Sequence, residues 1–110
     1  MGTNQDENRI ATLTQFLEQN PSDAFARYGL AMEHSRLGQT EQALEQFNRL
    51  LQLHPDYTNG YFMAAQTLER AGRTSEARKM LENGIAAAKR AGNQHALREM
   101  SGMLEELDLE

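Results

Sequence analysis

The side chains best suited to acid–base or metal chemistry in this sequence are three histidines, His34, His54 and His95. A metal site on helices usually combines histidines in a His-x-x-x-His spacing, or a glutamate with a histidine three residues later, so that both ligands share one face. None of the three histidines has a partner at either spacing. We therefore expect no metal site, with His34 half-buried on a helix face and His54 and His95 exposed to solvent.

Other catalytic arrangements also lack support in the sequence. Glu105 and Glu106 are adjacent carboxylates, but neighbours in sequence point to different sides of a helix and do not converge on a shared substrate. The sequence contains no glycine-rich phosphate loop and no activated-serine motif, and the absence of cysteine excludes thiolate chemistry. The sequence predicts a protein that is not an enzyme and that needs no cofactor.

The acidic composition limits the classes of partner. The 110 residues include 11 Lys or Arg and 16 Asp or Glu, which gives a formal net charge of −5 at pH 7. A negative surface repels phosphate backbones and anionic headgroups, so neither nucleic acid nor a membrane is an expected partner. The first residues, MGTNQDENRI, have no basic start followed by an apolar run, so we expect no signal peptide and a cytoplasmic location.

The elements that carry these side chains are organised by an internal repeat. Identical residues recur throughout the middle of the chain at one fixed separation of 34 residues. A fixed period with matched apolar positions means that one structural unit occurs twice in the chain. The identical pairs include Pro21 with Pro55, Ala31 with Ala65, Arg36 with Arg70, Gly38 with Gly72, Thr40 with Thr74, and Ala43 with Ala77.

Each unit is predicted to contain two helices joined by a glycine turn. Apolar or small residues recur at three- and four-residue steps on both sides of Gly38 and Gly72, which is the spacing of a helical stripe. Ser22 and Thr40 are the predicted N-caps of the first unit. We expect one domain over residues 1–110, made of an N-terminal helix at 6–20, repeats at 22–55 and 57–90, and a capping helix at 93–108.

Two details of the helices lead to further expectations. The N-terminal helix places Ile10, Leu13, Phe16 and Leu17 at helical spacing, so we expect these four side chains to be buried. Gly84 lies inside a predicted helix, where glycine is less stable than alanine by about 1 kcal/mol. We expect Gly84 to permit a close approach of a neighbouring helix.

This period and its scaffold resemble the tetratricopeptide repeat. Tyr61 stands in the place of the signature tryptophan of the family, whereas Arg27, His34 and Lys89 depart from the usual aromatic residue, tyrosine and proline. The resemblance covers residues 6 to 108 and implies an all-α fold. That fold is a right-handed α-solenoid of antiparallel helix pairs with about 2.5 repeats and a C-terminal capping helix, as in small bacterial members of the family. The matching scaffold residues are Leu30, Ala31, Ala43, Phe47 and Pro55, then Ala64, Ala65, Ala77 and Leu81.

The resemblance also implies a function, because proteins of this family are usually adaptors or scaffolds that bind a peptide or helix of a partner. The first helices of successive units line the concave groove that holds it. An aromatic and methionine surface rimmed by Arg36 and Arg70 suits an apolar peptide with an acidic residue beside it. Chaperone-binding members clamp a terminal carboxylate with a set of Lys and Asn residues that this sequence lacks, so capture of chaperone tails is not expected. The candidate groove residues are Phe25, Tyr28, Met32, Ser35, Arg36, Asn59, Phe62, Gln66, Glu69 and Arg70.

The same surface is compatible with other functions. The aromatic residues Phe25, Tyr28 and Phe62 also suit packing against the N-terminal helix, or the interface of a homodimer. The unit that contains the N-terminal helix lacks its first helix, so the chain also suits a structural part of a longer helical-repeat protein. The sequence does not identify the partner.

Overall fold

The computed structural model describes residues 4–110, which form six α-helices and no strand. The expectation of no signal peptide concerns the N-terminal stretch, of which residues 1–3 lie outside the described residues. The chain divides into two compact units, Met1–His54 and Pro55–Glu110, of three helices each. The helices are α1 (Asn4–Gln19), α2 (Ala24–Arg36), α3 (Thr40–Leu53), α4 (Thr58–Arg70), α5 (Thr74–Ala91) and α6 (Gln94–Asp108).

The helix starts differ in part from the predicted caps. Asp23 is the N-cap of α2, because its Oδ1 accepts a hydrogen bond from the backbone N–H of Ala26 at 2.8 Å. The prediction for Ser22 was therefore wrong by one residue. The prediction for Thr40 was also wrong, since Thr40 is the first helical residue of α3 and the N-cap position is occupied by Gln39, which makes no side-chain capping bond.

Helices α2, α4 and α5 each end just before a glycine with a left-handed backbone. Gly38 has a φ of 75° and Gly72 a φ of 77°, which are left-handed conformations that residues with a Cβ rarely adopt. These glycines form the turns within the two hairpins, as predicted. Gly92, with a φ of 67°, ends α5 in the same way. Asn93 then caps α6, because its Oδ1 accepts a hydrogen bond from the Ala96 N–H at 3.0 Å.

The core of the first unit lies between α1, α2 and α3. Leu17, Ala26 and Leu30 are buried where α1 meets α2, and the partly buried Ile10 and Leu13 pack against them. The prediction that Phe16 is buried was wrong, because 45% of this residue is exposed. Phe16 directly precedes the buried Leu17, so the two side chains point to different sides of a helix whose apolar stripe is narrow.

The core of the second unit is centred on Gly84, where α4, α5 and α6 approach one another. A Cβ added at Gly84 would lie 2.6 Å from Tyr61 Cβ and closer still to the sulfur of Met100. Gly84 therefore permits the close approach that the sequence predicts. Met100 is completely buried, as is Leu81 of α5.

The position of the family's signature tryptophan is filled differently in the two units. Arg27 of α2 donates from Nη2 to the carbonyl oxygen of Pro21 at 2.8 Å and from Nη1 to Gln46 Oε1 at 2.7 Å. Tyr61 of α4 donates from its hydroxyl to the carbonyl oxygen of Pro55 at 2.7 Å. Two chemically different side chains thus bind the same proline carbonyl of the repeat. Burial, and next the charge of Arg49, lowers the pKa of Arg27.

Candidate functional site

Two adjoining concave pockets lie between α4 and α6 of the second unit. The larger has a volume of about 610 Å³ and the smaller about 370 Å³, and both are lined by Phe62 of α4 and Glu99 of α6. Because these two residues belong to both pockets, the pockets form one continuous groove, which we call the α4–α6 groove. The larger pocket is lined by Phe62, Gln66, Glu69, Arg70, Arg98, Glu99, Gly102, Met103 and Glu106, and the smaller by Thr58, Asn59, Phe62, Asn93, His95, Ala96, Glu99 and Met100.

The two walls of the α4–α6 groove are the helices α4 and α6, which run in the same direction. The smaller pocket joins the first turns of α4 to the first turns of α6, and the larger joins their C-terminal halves. This parallel arrangement follows from two chain reversals, at Gly72 and at Gly92. Asn93 and Thr58 connect the walls at the N-terminal end, where Asn93 Nδ2 donates to Thr58 Oγ1 at 3.3 Å.

The groove combines apolar surface with charged side chains on both walls. Phe62 and Met103, both half-buried, supply apolar surface on opposite walls. The larger pocket also contains three carboxylates, Glu69, Glu99 and Glu106, and only two guanidinium groups. Within the described part of the chain, the one ion pair of these carboxylates joins Glu99 Oε1 to His95 Nε2 at 3.4 Å, and it exists only when His95 is protonated.

The acidic character is strongest where α6 ends. No basic residue lies in the last turn of α6, although the C-terminus of a helix carries a partial negative charge that cations stabilise. Asp108 is paired with Arg78 Nε at 2.9 Å, and this pair is largely exposed. Glu106 has no ion pair with any described residue, so the larger pocket ends in unneutralised negative charge.

The structure brings the second-unit candidates together. Phe62, Gln66, Glu69 and Arg70 line the larger pocket, and Asn59 lines the smaller. These five residues, selected from their positions on one predicted helix, thus share one groove. Whether a peptide binds there stays a prediction.

The first-unit candidates have varied surroundings. Phe25 is 80% exposed, and Met32 is half-buried. Tyr28 packs its ring edge-on against the core residue Phe47, with 6.4 Å between ring centroids. Ser35 is only 8% exposed. Arg36 is exposed and donates from Nη2 to Glu33 Oε1 at 3.0 Å.

Glu33 is already occupied by two arginines. Its Oε2 accepts from Arg9 Nη1 at 2.9 Å, and its Oε1 accepts from Arg36. Burial acts to raise the pKa of Glu33, but the hydrogen bonds and charges of Arg9 and Arg36 outweigh it and lower the pKa below its ordinary value. Arg36 is therefore engaged within the unit, although the three side chains together keep one positive charge in excess.

The residues that sequence reasoning missed are those of the second wall. Arg98, Glu99, Gly102, Met103 and Glu106 all lie on α6, which was predicted as a capping helix without a role in the site. The signal was present in the order of the helices, because a helix that follows an antiparallel pair returns to the direction of the first. The face of α6 that lies beside α4 could have been proposed from that rule.

The three histidines lie in different surroundings. His34 is half-buried and its Nδ1 donates to Gln39 Oε1 at 2.7 Å. The expectation that His54 is exposed was wrong, because it is half-buried and its Nε2 donates to the Ser22 carbonyl at 2.7 Å. His95 is exposed beside the smaller pocket. No group of three His, Asp or Glu residues able to hold a metal ion occurs within residues 4–110.

Comparisons with known proteins establish the family. The tetratricopeptide repeat family is matched by residues 36–100 and, in a second model, by residues 12–45. A TPR repeat-containing protein of Pseudomonas aeruginosa is 30% identical over 99 residues, which cover 90% of this chain and 94% of that protein. This chain belongs to the tetratricopeptide repeat family.

Solved structures give the same fold. A tetratricopeptide repeat domain protein from Salinibacter ruber has a TM-score of 0.73 at 33% identity, with 79% of this chain and 88% of that chain covered. The TPR2B domain of yeast Sti1, in a complex with an Hsp70 peptide, has a TM-score of 0.84 at 16% identity, with 96% and 84% covered. The predicted fold class, all-α and tetratricopeptide-like, is confirmed. None of the described helices combines the length and the apolar character that crossing a membrane requires.

Proposed function

We propose that this protein is a non-enzymatic interaction module that binds a peptide or helix of a protein partner in the α4–α6 groove. The observation that carries the proposal is the groove itself, in which apolar surface from Phe62 and Met103 lies open between two rows of charged side chains. Peptide sites in proteins combine such an apolar anchor point with a polar rim.

The comparisons support an interaction module as the class of function. Tetratricopeptide repeats are generally non-catalytic modules for protein interaction, and the yeast neighbour binds a peptide of another protein. That neighbour shares only 16% identity, so its likeness supports the fold and not the identity of the partner. Of the first-unit candidates, the exposed Phe25 and Arg36 remain proposed contacts. The cytoplasmic location remains a prediction from the sequence.

A selection of random peptides displayed on phage tests the proposal. The bait is the full chain, and the selected peptides are then measured against a Gly102→Trp variant. We expect an indole at this position to occupy the larger pocket, because Gly102 lines that pocket and a Cβ added there meets no other atom within 4 Å. We expect Gly102→Trp to weaken binding by about tenfold or more, since the apolar anchor point is lost.

Ala86→Trp is the matched control, because Ala86 is exposed on α5 and lines neither pocket. Circular dichroism establishes that both variants remain helical. Peptides that bind native chain and Gly102→Trp equally well would refute the groove as the site. A selection that enriches no peptide would refute peptide recognition by this protein.

Self-association is a second candidate function, and it is favoured by the 80% exposure of Phe25. In a dimer, this side chain would contribute apolar area to a contact surface shared by two copies of the chain. Size-exclusion chromatography with light scattering, repeated with Phe25→Ser, tests it. A dimer that the substitution dissociates would support self-association, whereas a monomer at high concentration would eliminate it.

A further inference from the structure

We infer that the occupant of the α4–α6 groove is a basic peptide segment, with an apolar side chain placed against the backbone at Gly102 and a lysine or arginine directed to Glu69 and Glu106. The inference rests on the proposed function and specifies the chemistry of the partner. Two independent features carry it, the glycine on the α6 wall and the distribution of charge along the groove.

The first feature is a glycine that the fold itself does not require. Gly38, Gly72 and Gly92 have left-handed backbones, and Gly84 is required by close helix packing. Gly102 has neither reason: it lies within α6, and a Cβ added there meets nothing within 4 Å. Glycine in a helix interior destabilises the helix relative to alanine, while it allows another molecule to approach the backbone closely.

Gly102 is relevant to binding because it lies in the wall of the groove. Gly102 lines the larger pocket next to Met103, and Phe62 and Gln66 lie on the opposite wall. A missing side chain at this point widens the groove beside the apolar side chain of Met103. An apolar side chain of a partner fits there and gains contact with both walls.

The second feature is the negative end of the groove. Glu69 lies near the C-terminus of α4, and Glu106 lies near the C-terminus of α6, so two carboxylates stand where two parallel helices place their negative dipole ends. Neither carboxylate has an ion pair with a described residue. A cationic side chain placed between them is attracted by both the charges and the dipoles.

The expectation of an acidic partner is not supported by the charges inside the α4–α6 groove. That expectation rested on Arg36 and Arg70 as a basic rim. Arg36 is engaged by Glu33, which also binds Arg9. Arg70 lies in the last turn of α4 and Arg98 also lines the larger pocket, but together they leave one of its three carboxylates in excess. Charge complementarity thus favours a basic segment over an acidic one.

Two matched peptide libraries test the inference on the full chain. Both contain random apolar and polar residues, and one has Lys and Arg as its only charged residues while the other has Asp and Glu. Dissociation constants of the selected peptides are measured by fluorescence anisotropy at two salt concentrations. We expect binders from the basic library, with dissociation constants that rise with salt, and a loss of affinity when their lysines are replaced by glutamates.

The protein variants are Glu106→Lys and its matched control Glu105→Lys. Both residues are exposed in the last turns of α6, but only Glu106 lines the groove. Each substitution changes the charge equally and has the same effect on the helix dipole. We expect Glu106→Lys to weaken binding of a basic peptide about three- to tenfold, and Glu105→Lys to weaken it less than about twofold.

The outcomes separate this inference from the proposed function. Acidic binders that Gly102→Trp abolishes would overturn the inference and leave the groove as a peptide site. Equal effects of Glu106→Lys and Glu105→Lys would also overturn it. If neither library yields a binder, or if Gly102→Trp has no effect on the peptides selected, both the inference and the proposed function fail.

Discussion

The two units share a helix hairpin and differ in what surrounds it. In the first unit, α1 precedes the hairpin of α2 and α3, whereas in the second, α6 follows the hairpin of α4 and α5. One of the residues that change between equivalent positions meets the additional helix of the second unit. Leu50 is fully buried in the first unit, and Gly84, its equivalent 34 residues later, makes room for Met100 of α6.

A second difference lies at the signature position. Arg27 and Tyr61 bind equivalent proline carbonyls, but only Tyr61 does so without an unsatisfied group. Arg27 Nε is buried and has no hydrogen-bond partner among the described residues. An equivalent contact is therefore made with a neutral phenol in one unit and with a partly desolvated cation in the other. The contact with the proline carbonyl is thus common to both hairpins, whereas the chemistry of the donor differs.

The largest expected effect is a loss of folding stability when a core side chain of either hairpin is truncated. It tests whether the two hairpin cores are equivalent. Phe47 and Leu81 occupy matching positions and are both completely buried. We expect Phe47→Ala to lower the free energy of unfolding by about 3 to 5 kcal/mol, and Leu81→Ala by about 2 to 5 kcal/mol, because each leaves a cavity. Urea denaturation measures both, and Phe25→Ala, at a largely exposed position, is the control. A loss below about 1 kcal/mol at either site would show that its hairpin is not packed as described.

The next largest effect is a loss of stability at Gly84. It tests the close approach of α6 that distinguishes the second unit. Gly84→Ala introduces a Cβ that overlaps Tyr61 and Met100, so we expect a loss of about 1 to 3 kcal/mol in the free energy of unfolding. Gly102→Ala is the matched control on α6, where the added methyl group meets open space. We expect this control to stabilise by about 0.5 to 1 kcal/mol. Changes of the same sign at both glycines would contradict the close approach at Gly84.

A smaller effect tests the signature position. Tyr61→Phe removes the hydrogen bond to Pro55 and keeps the ring, so we expect a loss of about 0.5 to 1.5 kcal/mol by urea denaturation. Arg27→Met removes the equivalent bond together with a desolvated charge that has one unsatisfied nitrogen. We expect Arg27→Met to change stability less than Tyr61→Phe, because the removed desolvation offsets the lost bonds. The reverse order would mean that the guanidinium of Arg27 is the stronger anchor.

The smallest effect is the pH dependence that Glu33 contributes to the stability of the first unit. The pKa of Glu33 is lowered in the folded state, so its contribution is present above the ordinary value of 4.5 and is lost as the pH falls through the lowered pKa. We expect Glu33→Gln to cost about 0.5 to 1 kcal/mol at neutral pH, since both arginines are about half exposed. The difference from the native chain should vanish in acid, as measured by urea denaturation at several pH values. The equivalent residue in the second unit, Thr67, does not titrate. A difference in stability between Glu33→Gln and the native chain that persists at low pH would show that the ionised carboxylate of Glu33 is not its cause.

The period of the sequence was sufficient to predict the helix pairs, because glycine turns and apolar stripes are local signals. Capping was less predictable, since Ser22 and Asp23 are adjacent and both can cap, and only the backbone geometry selects Asp23. The burial of Phe16 and the exposure of His54 were predicted wrongly, because the apolar stripe of α1 is narrower than its sequence suggests and because His54 is bound by the carbonyl of Ser22, which is distant in sequence.

The candidate site was predictable on one wall only. Asn59, Phe62, Gln66, Glu69 and Arg70 follow from the face of α4 in the repeat. The α6 wall lies in a segment outside the clear repeat, so no period identified it. The charge balance was also hidden, because the pairing of Arg36 with Glu33 is a matter of side-chain geometry and not of composition.

Phe62, shared by both pockets, also makes the groove suitable for optical measurement. The chain contains no tryptophan, so Phe62→Trp would give it a single indole. Excitation at the red edge of protein absorption would then report this one location, without background from the three tyrosines. A partner that covers the indole would shift its emission to shorter wavelength, and stopped-flow mixing would follow the rate of that shift without any attached dye.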